Sequence, residues 1–217
     1  MAWTTPRWLQ SVFGANAAPA DPATALDLAA RQLASLAERL PAYLDEVREE
    51  TRAAAPARAA ALHRDSVQML QHVDRHLAAV ADLASPSQRN RAAALAARGQ
   101  LLRSLIDAVR ELTGMIGRAG RSGEVAALSA SLAEALHVIL LTAADAIREP
   151  DAINVDLLGQ LTGDRGAVME RIRHGLVRGE RTLTVDEHHV LLTSTALFER
   201  IIRLLRRFQE GLVRDLE

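Results

Sequence analysis

The chain has 217 residues, 49% of them hydrophobic, with a formal net charge of −1 and no cysteine. That length and apolar fraction suffice for one large folded domain or two small ones, and the missing cysteine excludes disulfide scaffolds, thiolate metal sites and cysteine nucleophiles together. The near-neutral charge argues against a general nucleic-acid or anionic-membrane binder, which needs a basic excess to gain from counterion release. Ala and Leu dominate, aromatics make up only 3%, and strand-forming runs of Val, Ile, Thr and Tyr are missing. An all-α fold of close-packed helices follows. All 26 basic residues are arginine; genomic base composition is the plain explanation, although arginine is also the better bidentate partner for carboxylate or phosphate.

Residues 1–21 read as a leader with no uninterrupted apolar stretch of the signal-peptide kind, and no 18-residue run is expected to be apolar enough to span a bilayer. Half of the aromatic residues fall in it: Trp3, Trp8 and Phe13. Such rings either fold back to plug one end of a bundle or dock at a bilayer surface or a neighbouring membrane segment.

Past the leader, punctuation marks the elements. Asp21-Pro22 opens a helix to about Arg52, with Asp21 as N-cap, Pro22 in the first turn and Pro41 as a kink or division. Pro56 opens a second, with the stripe Leu62, Met69, Val73, Leu77 and Val80. Ser85 caps a third, from Ser87 to about Gly117, with Leu95, Leu102, Leu105, Ile106, Val109 and Leu112 at helical spacing and Gly117, Gly120 and Gly123 at its end. A fourth, from Glu124 to Arg148, carries Leu128, Leu132, Leu136, Ile139 and Leu140. A fifth runs from about Ala152 to Val177 with an interruption at Gly163-Asp164. Thr184 and Glu187 form a capping box for the last, in which Leu191, Phe198, Ile201, Leu205, Phe208 and Leu212 recur at alternating three- and four-residue steps, with Ser194 breaking the series. The result is an antiparallel bundle of about six helices in two halves, residues 22–119 and 120–217.

Residues 69–80 and 194–205 carry the same stripe 125 positions apart. In one, Val73, Leu77 and Val80 flank Asp74-Arg75; in the other, Phe198, Ile202 and Leu205 flank Glu199-Arg200. Both read as core faces with a charged shoulder. Glu199 and Arg203, four apart, form a surface ion pair worth roughly 0.3–0.5 kcal/mol in an isolated helix.

Catalytic patterns are sparse. His72 and His76 share a helical face and Asp65 lies seven positions earlier, a set that could offer two imidazoles and a carboxylate to zinc or a similar ion; no His-Glu-x-x-His base accompanies them. His63 is a phosphoacceptor candidate, without the acidic residue and the nearby proline that usually follow such a histidine. His188 and His189 are adjacent and point in different directions. Gly163-Asp164-Arg165-Gly166 reads as a turn before it reads as an anion nest.

Leu140-Leu141-Thr142-Ala143-Ala144-Asp145-Ala146, Leu161-Thr162-Gly163-Asp164-Arg165, Met169-Glu170-Arg171-Ile172-Arg173, Leu197-Phe198-Glu199-Arg200-Ile201 and, more loosely, Val73-Asp74-Arg75 resemble the PhoU-like cytoplasmic region of bacterial sodium/phosphate cotransporter family proteins over about residues 22–212. The resemblance implies two related helical repeats, a place in the cytoplasm at the inner face of the plasma membrane, and a regulatory module that binds a phosphate transporter or another protein, with no catalysis and no cofactor. The chain departs from the family's Glu-x-x-x-Asp metal motif: Asp74 and Glu199 hold the first acid position, but Ala78 and Arg203 stand at the second. A hard cation would lose half its carboxylates, so the iron or zinc cluster of some PhoU-like proteins is not expected.

The expected interaction surface is therefore Asp74, Arg75, Glu199, Arg200 and Arg203, with Trp3 and Trp8 as a second contact toward membrane or transporter. Two alternatives stand beside it: a metal-binding or phosphoacceptor bundle using Asp65, His72 and His76 or His63, and a self-associating bundle that dimerises through an exposed heptad stripe on the last helix.

Overall fold

The computed structural model describes residues 21–53, 57–80, 84–119, 123–149, 151–163, 166–177 and 183–216, all helical elements and their short connections. The Asp21 carboxylate accepts from the N–H groups of Ala23 and Thr24 and from the Thr24 hydroxyl. Donors that no helical carbonyl can reach are thereby satisfied at the start of α1, Pro22–Glu38. The chain turns at Arg39 and resumes as α2, Leu40–Ala53. Pro41, with no N–H to donate and a ring that crowds the preceding turn, divides the helix as its position implies.

Helix α3 is Ala57–Val80 and α4 is Pro86–Arg118; Pro56, the expected opener of α3, lies outside the described residues. Ser85 caps α4 as expected, and Gln88 completes a capping box by accepting the Ser85 N–H at 2.8 Å. Helix α5, Glu124–Arg148, starts after Gly123, whose φ of 97° is a conformation that a side chain would strain. The next expected helix is two, α6, Ala152–Leu161, and α7, Gly166–Val177, interrupted beyond Thr162. At the start of α8, Val185–Leu216, the Thr184 N–H donates to Glu187 Oε2 at 2.8 Å and the Glu187 N–H returns to the Thr184 hydroxyl at 3.2 Å. Counting α1–α2 and α6–α7 as interrupted single helices leaves the six of the sequence reading.

Helix α4, about 50 Å long at 1.5 Å per residue, packs against α1, α2, α3, α5 and α8. Pairs along its length set the directions. Asp27 meets Arg91 at 2.6 Å and Leu33 lies beside Gly99, so α1 runs parallel to α4. His63 approaches Asp107 and Asp74 meets Arg103, so α3 is antiparallel. The Arg98 guanidinium lies over the Phe208 ring at 5.7 Å while Arg200 approaches Glu111 at 3.5 Å, so α8 is antiparallel too. Helix α5 runs against α1–α2, with Arg148 near Glu38 and His137 near Asp45. One continuous core results, with Leu26, Leu70, Leu112, Leu136, Leu191 and Ile201 at 1% exposure or less. Each such side chain contributes roughly 1.5–3 kcal/mol by leaving water.

Two expectations are corrected here. By length and composition α5 is apolar enough to cross a membrane, with a mean hydropathy of 1.8 over its most apolar 18 residues; scattered alanines and the two serines, Ser129 and Ser131, hide this from a search for unbroken Leu and Val. Only 39% of that stretch is buried in the bundle, through Leu132, Leu136, Ile139 and Leu140. Second, the heptad stripe on α8 is not exposed. Leu191, Phe198, Ile201, Leu205, Phe208 and Leu212 are all buried, because the partner that the stripe calls for is α4 of the same chain.

Candidate functional site

The two repeated stripes, on α3 and α8, both face the core: Val73, Leu77, Phe198, Ile202 and Leu205 are buried. Their charged shoulders lean on neighbouring helices. Asp74 is held by Arg103 of α4 at 2.8 Å, both side chains about one-third exposed. Glu199 receives Arg173 of α7 at 2.9 Å, both under one-fifth exposed, and the same guanidinium donates to the Thr195 hydroxyl and reaches Glu170. The expected pair of Glu199 with Arg203 is present but longer, at 3.8 Å, with Arg203 68% exposed. Arg75 is exposed and donates back to the Gln71 carbonyl; Arg200 is half-exposed beside Glu111.

Asp74 and Glu199 are thus each met by an arginine from the adjacent helix. Sequence reasoning missed Arg103 and Arg173, since pairs 29 and 26 positions apart have no periodic signature. A weak signal did exist for one: Arg173 belongs to the Glu170-Arg171-Ile172-Arg173 segment already singled out.

The His72 and His76 rings lie with centroids 5.7 Å apart, tilted by 53° to one another. Asp65 is exposed and, being seven residues away, about 10.5 Å along the helix axis, does not join them. Among the described residues no three acid or imidazole side chains converge as a metal-ligand set. Burial lowers the pKa of His72, helped by Arg75 and His76. His63 is also lowered, by burial first and by Arg110 second, against an opposing pull from Asp107 3.9 Å away. His188 is half-buried and His189 exposed. The Asp164-Arg165 centre of the anion-nest candidate, and Trp3 and Trp8, lie outside the described residues.

Among the described residues the core holds buried polar groups without a partner, Ser129 Oγ and the amide of Gln32. Gln32 on α1 is 7% exposed, and neither its amide nitrogen nor its oxygen has a hydrogen-bond partner. By contrast Ser194, which breaks the α8 stripe, is fully buried and donates to the Val190 carbonyl at 2.6 Å.

Chemically, this constellation can hold helices together and present arginines outward. Compared with known protein families, curated proteins and solved structures, the chain matches none of them.

Proposed function

We propose that the protein is a non-enzymatic regulatory module of the PhoU-like kind, acting by binding a membrane transporter of phosphate or a protein associated with it. The observation that carries the reading is the replacement of cation by arginine: Asp74 and Glu199 are neutralised by Arg103 and Arg173 from the next helix. Where a metal-binding relative would gather carboxylates, this chain spends them on ion pairs across α3–α4 and α7–α8. The arginines left exposed for a partner are Arg75 on α3 and Arg200 and Arg203 on α8.

Support for binding over catalysis also comes from the polar groups themselves. Nearly every charged side chain near the stripes is engaged with another side chain or a backbone carbonyl, which suits a rigid scaffold.

The test pairs elemental analysis of untagged protein with binding. Metal-free protein that associates with a reconstituted sodium-dependent phosphate transporter and alters its phosphate uptake is the expected outcome. Stoichiometric iron or zinc, or unchanged uptake with no association, would overturn it.

A further inference from the structure

Independently of that reading, the outer face of α5 has the pattern of a helix seam. Ala127, Ser131, Glu134, Val138, Leu141, Asp145 and Arg148 follow alternating four- and three-residue steps, and every one is exposed. Val138 is 55% and Leu141 45% exposed. The inner face of the same helix is committed to the core, so this second seam is surplus to what the monomer buries. On the neighbouring α6, which packs on α5, Ile153 and Leu157 are exposed at 79% and 45%.

We propose that this face is the contact between two copies of the chain, with α5 packed antiparallel on its symmetry mate about a two-fold axis at Leu141. The charges choose the occupant and the direction. A parallel pair would oppose Glu134 to Glu134 and Arg148 to Arg148. The antiparallel pair centred on Leu141 sets Glu134, seven residues before, against Arg148, seven residues after, twice by symmetry. Val138 and Leu141 fill the middle of the overlap, which runs from Glu134 to Arg148. A two-fold contact needs such a self-complementary patch. A lipid surface offers no counterpart for Glu134, which stands one turn from Val138 and two from Leu141.

The absence of cysteine from the sequence makes the test direct. In the full-length protein, Leu141→Cys should form a disulfide-linked dimer on mild oxidation, and a mixture of Glu134→Cys with Arg148→Cys should give the mixed dimer in preference to either homodimer. Val185→Cys, on α8 and 86% exposed, should stay monomeric. The unmodified chain should show a mass that rises toward twice the monomer with concentration, and Val138→Arg should return it to monomer with unchanged helical circular dichroism. A monomer mass throughout, or a dimer cross-linked at Val185→Cys and not at Leu141→Cys, would overturn the proposal. So would monomer that sediments with phosphatidylcholine vesicles and loses that property in Val138→Arg, which would give the face to lipid.

Discussion

Arg173 on α7 and Glu199 on α8 meet at 2.9 Å with both side chains more than four-fifths buried, and the guanidinium also holds the Thr195 hydroxyl and Glu170. The pair fastens α7 to α8, the neighbour it is known to pack against. Removing one member leaves the other charged and half-desolvated. Arg173→Ala and Glu199→Ala are each expected to cost about 1–3 kcal/mol, whereas Arg203→Ala, at the exposed end of the longer pair, should change stability by less than about 0.5 kcal/mol. Urea unfolding of the three variants checks the order, and a double mutant that loses no more than one single would show the coupling.

Gln32 should be the rare polar residue whose removal helps. Its buried amide makes no hydrogen bond, so Gln32→Met keeps the shape and drops the desolvation penalty. The expected gain is about 1 kcal/mol, read as a higher urea midpoint at constant slope. A loss would mean that the amide is satisfied by ordered water.

Helix α5 offers an internal contrast. Leu136 is fully buried and Leu141 is 45% exposed, one and a half turns apart. Leu136→Ala should cost about 2–5 kcal/mol through lost burial and the cavity left behind. Measured on dilute protein, Leu141→Ala should fall within about 0.5 kcal/mol of the parent.

The histidine shifts give a pH dependence. His63 and His72 both have folded pKa values below the ordinary 6.5, burial being the main cause in each. Near neutral pH both folded and unfolded imidazoles are uncharged and the fold is undisturbed. As pH falls through 6.5 the unfolded chain takes up protons that the folded one refuses, so stability declines until the lower folded pKa is passed. His63→Leu should flatten part of that decline, measured by unfolding midpoints at successive pH values, and a slope unchanged from the parent would refute it. Asp21 acts lower on the scale. Its carboxyl is lowered by the Thr24 hydroxyl first and by the Thr24 and Ala23 N–H groups next, so its contribution is present above the ordinary 3.8 and is lost as pH falls through the folded value.

Breaking the capping box of α4 tests the longest helix. Ser85→Ala removes the acceptor for the Gln88 N–H and should cost about 0.5–2 kcal/mol. Hydrogen exchange at the first turn of α4 should rise with it.

Much of the fold was legible in the chain because caps, prolines and stripes are local. Asp21-Pro22, Pro41, Ser85-Pro86 and Thr184 with Glu187 act through hydrogen bonds that span four residues or fewer, and all four sit where their types imply. The stripe of α8 was equally legible, but its occupant was not. Periodicity says that a face is buried without naming what buries it, and here α4 of the same chain supplied the covering surface. The candidate site was the least legible part. Asp74, Glu199 and the arginines beside them were visible as charged shoulders, yet Arg103 and Arg173 enter only when separate helices are laid side by side.

Composition and local pattern by themselves determined an all-α bundle, the helix limits and the inward faces of α3, α4, α5 and α8, since these depend on backbone hydrogen bonds and on a 3.6-residue period. Only the tertiary structure decided which carboxylates are neutralised by arginine, which histidines lose solvent, that Gln32 is stranded in the core, and that α5 leaves Val138 and Leu141 exposed outside it. Those outcomes depend on distances between residues far apart in the chain, set by the packing of whole helices and encoded in no single window of sequence.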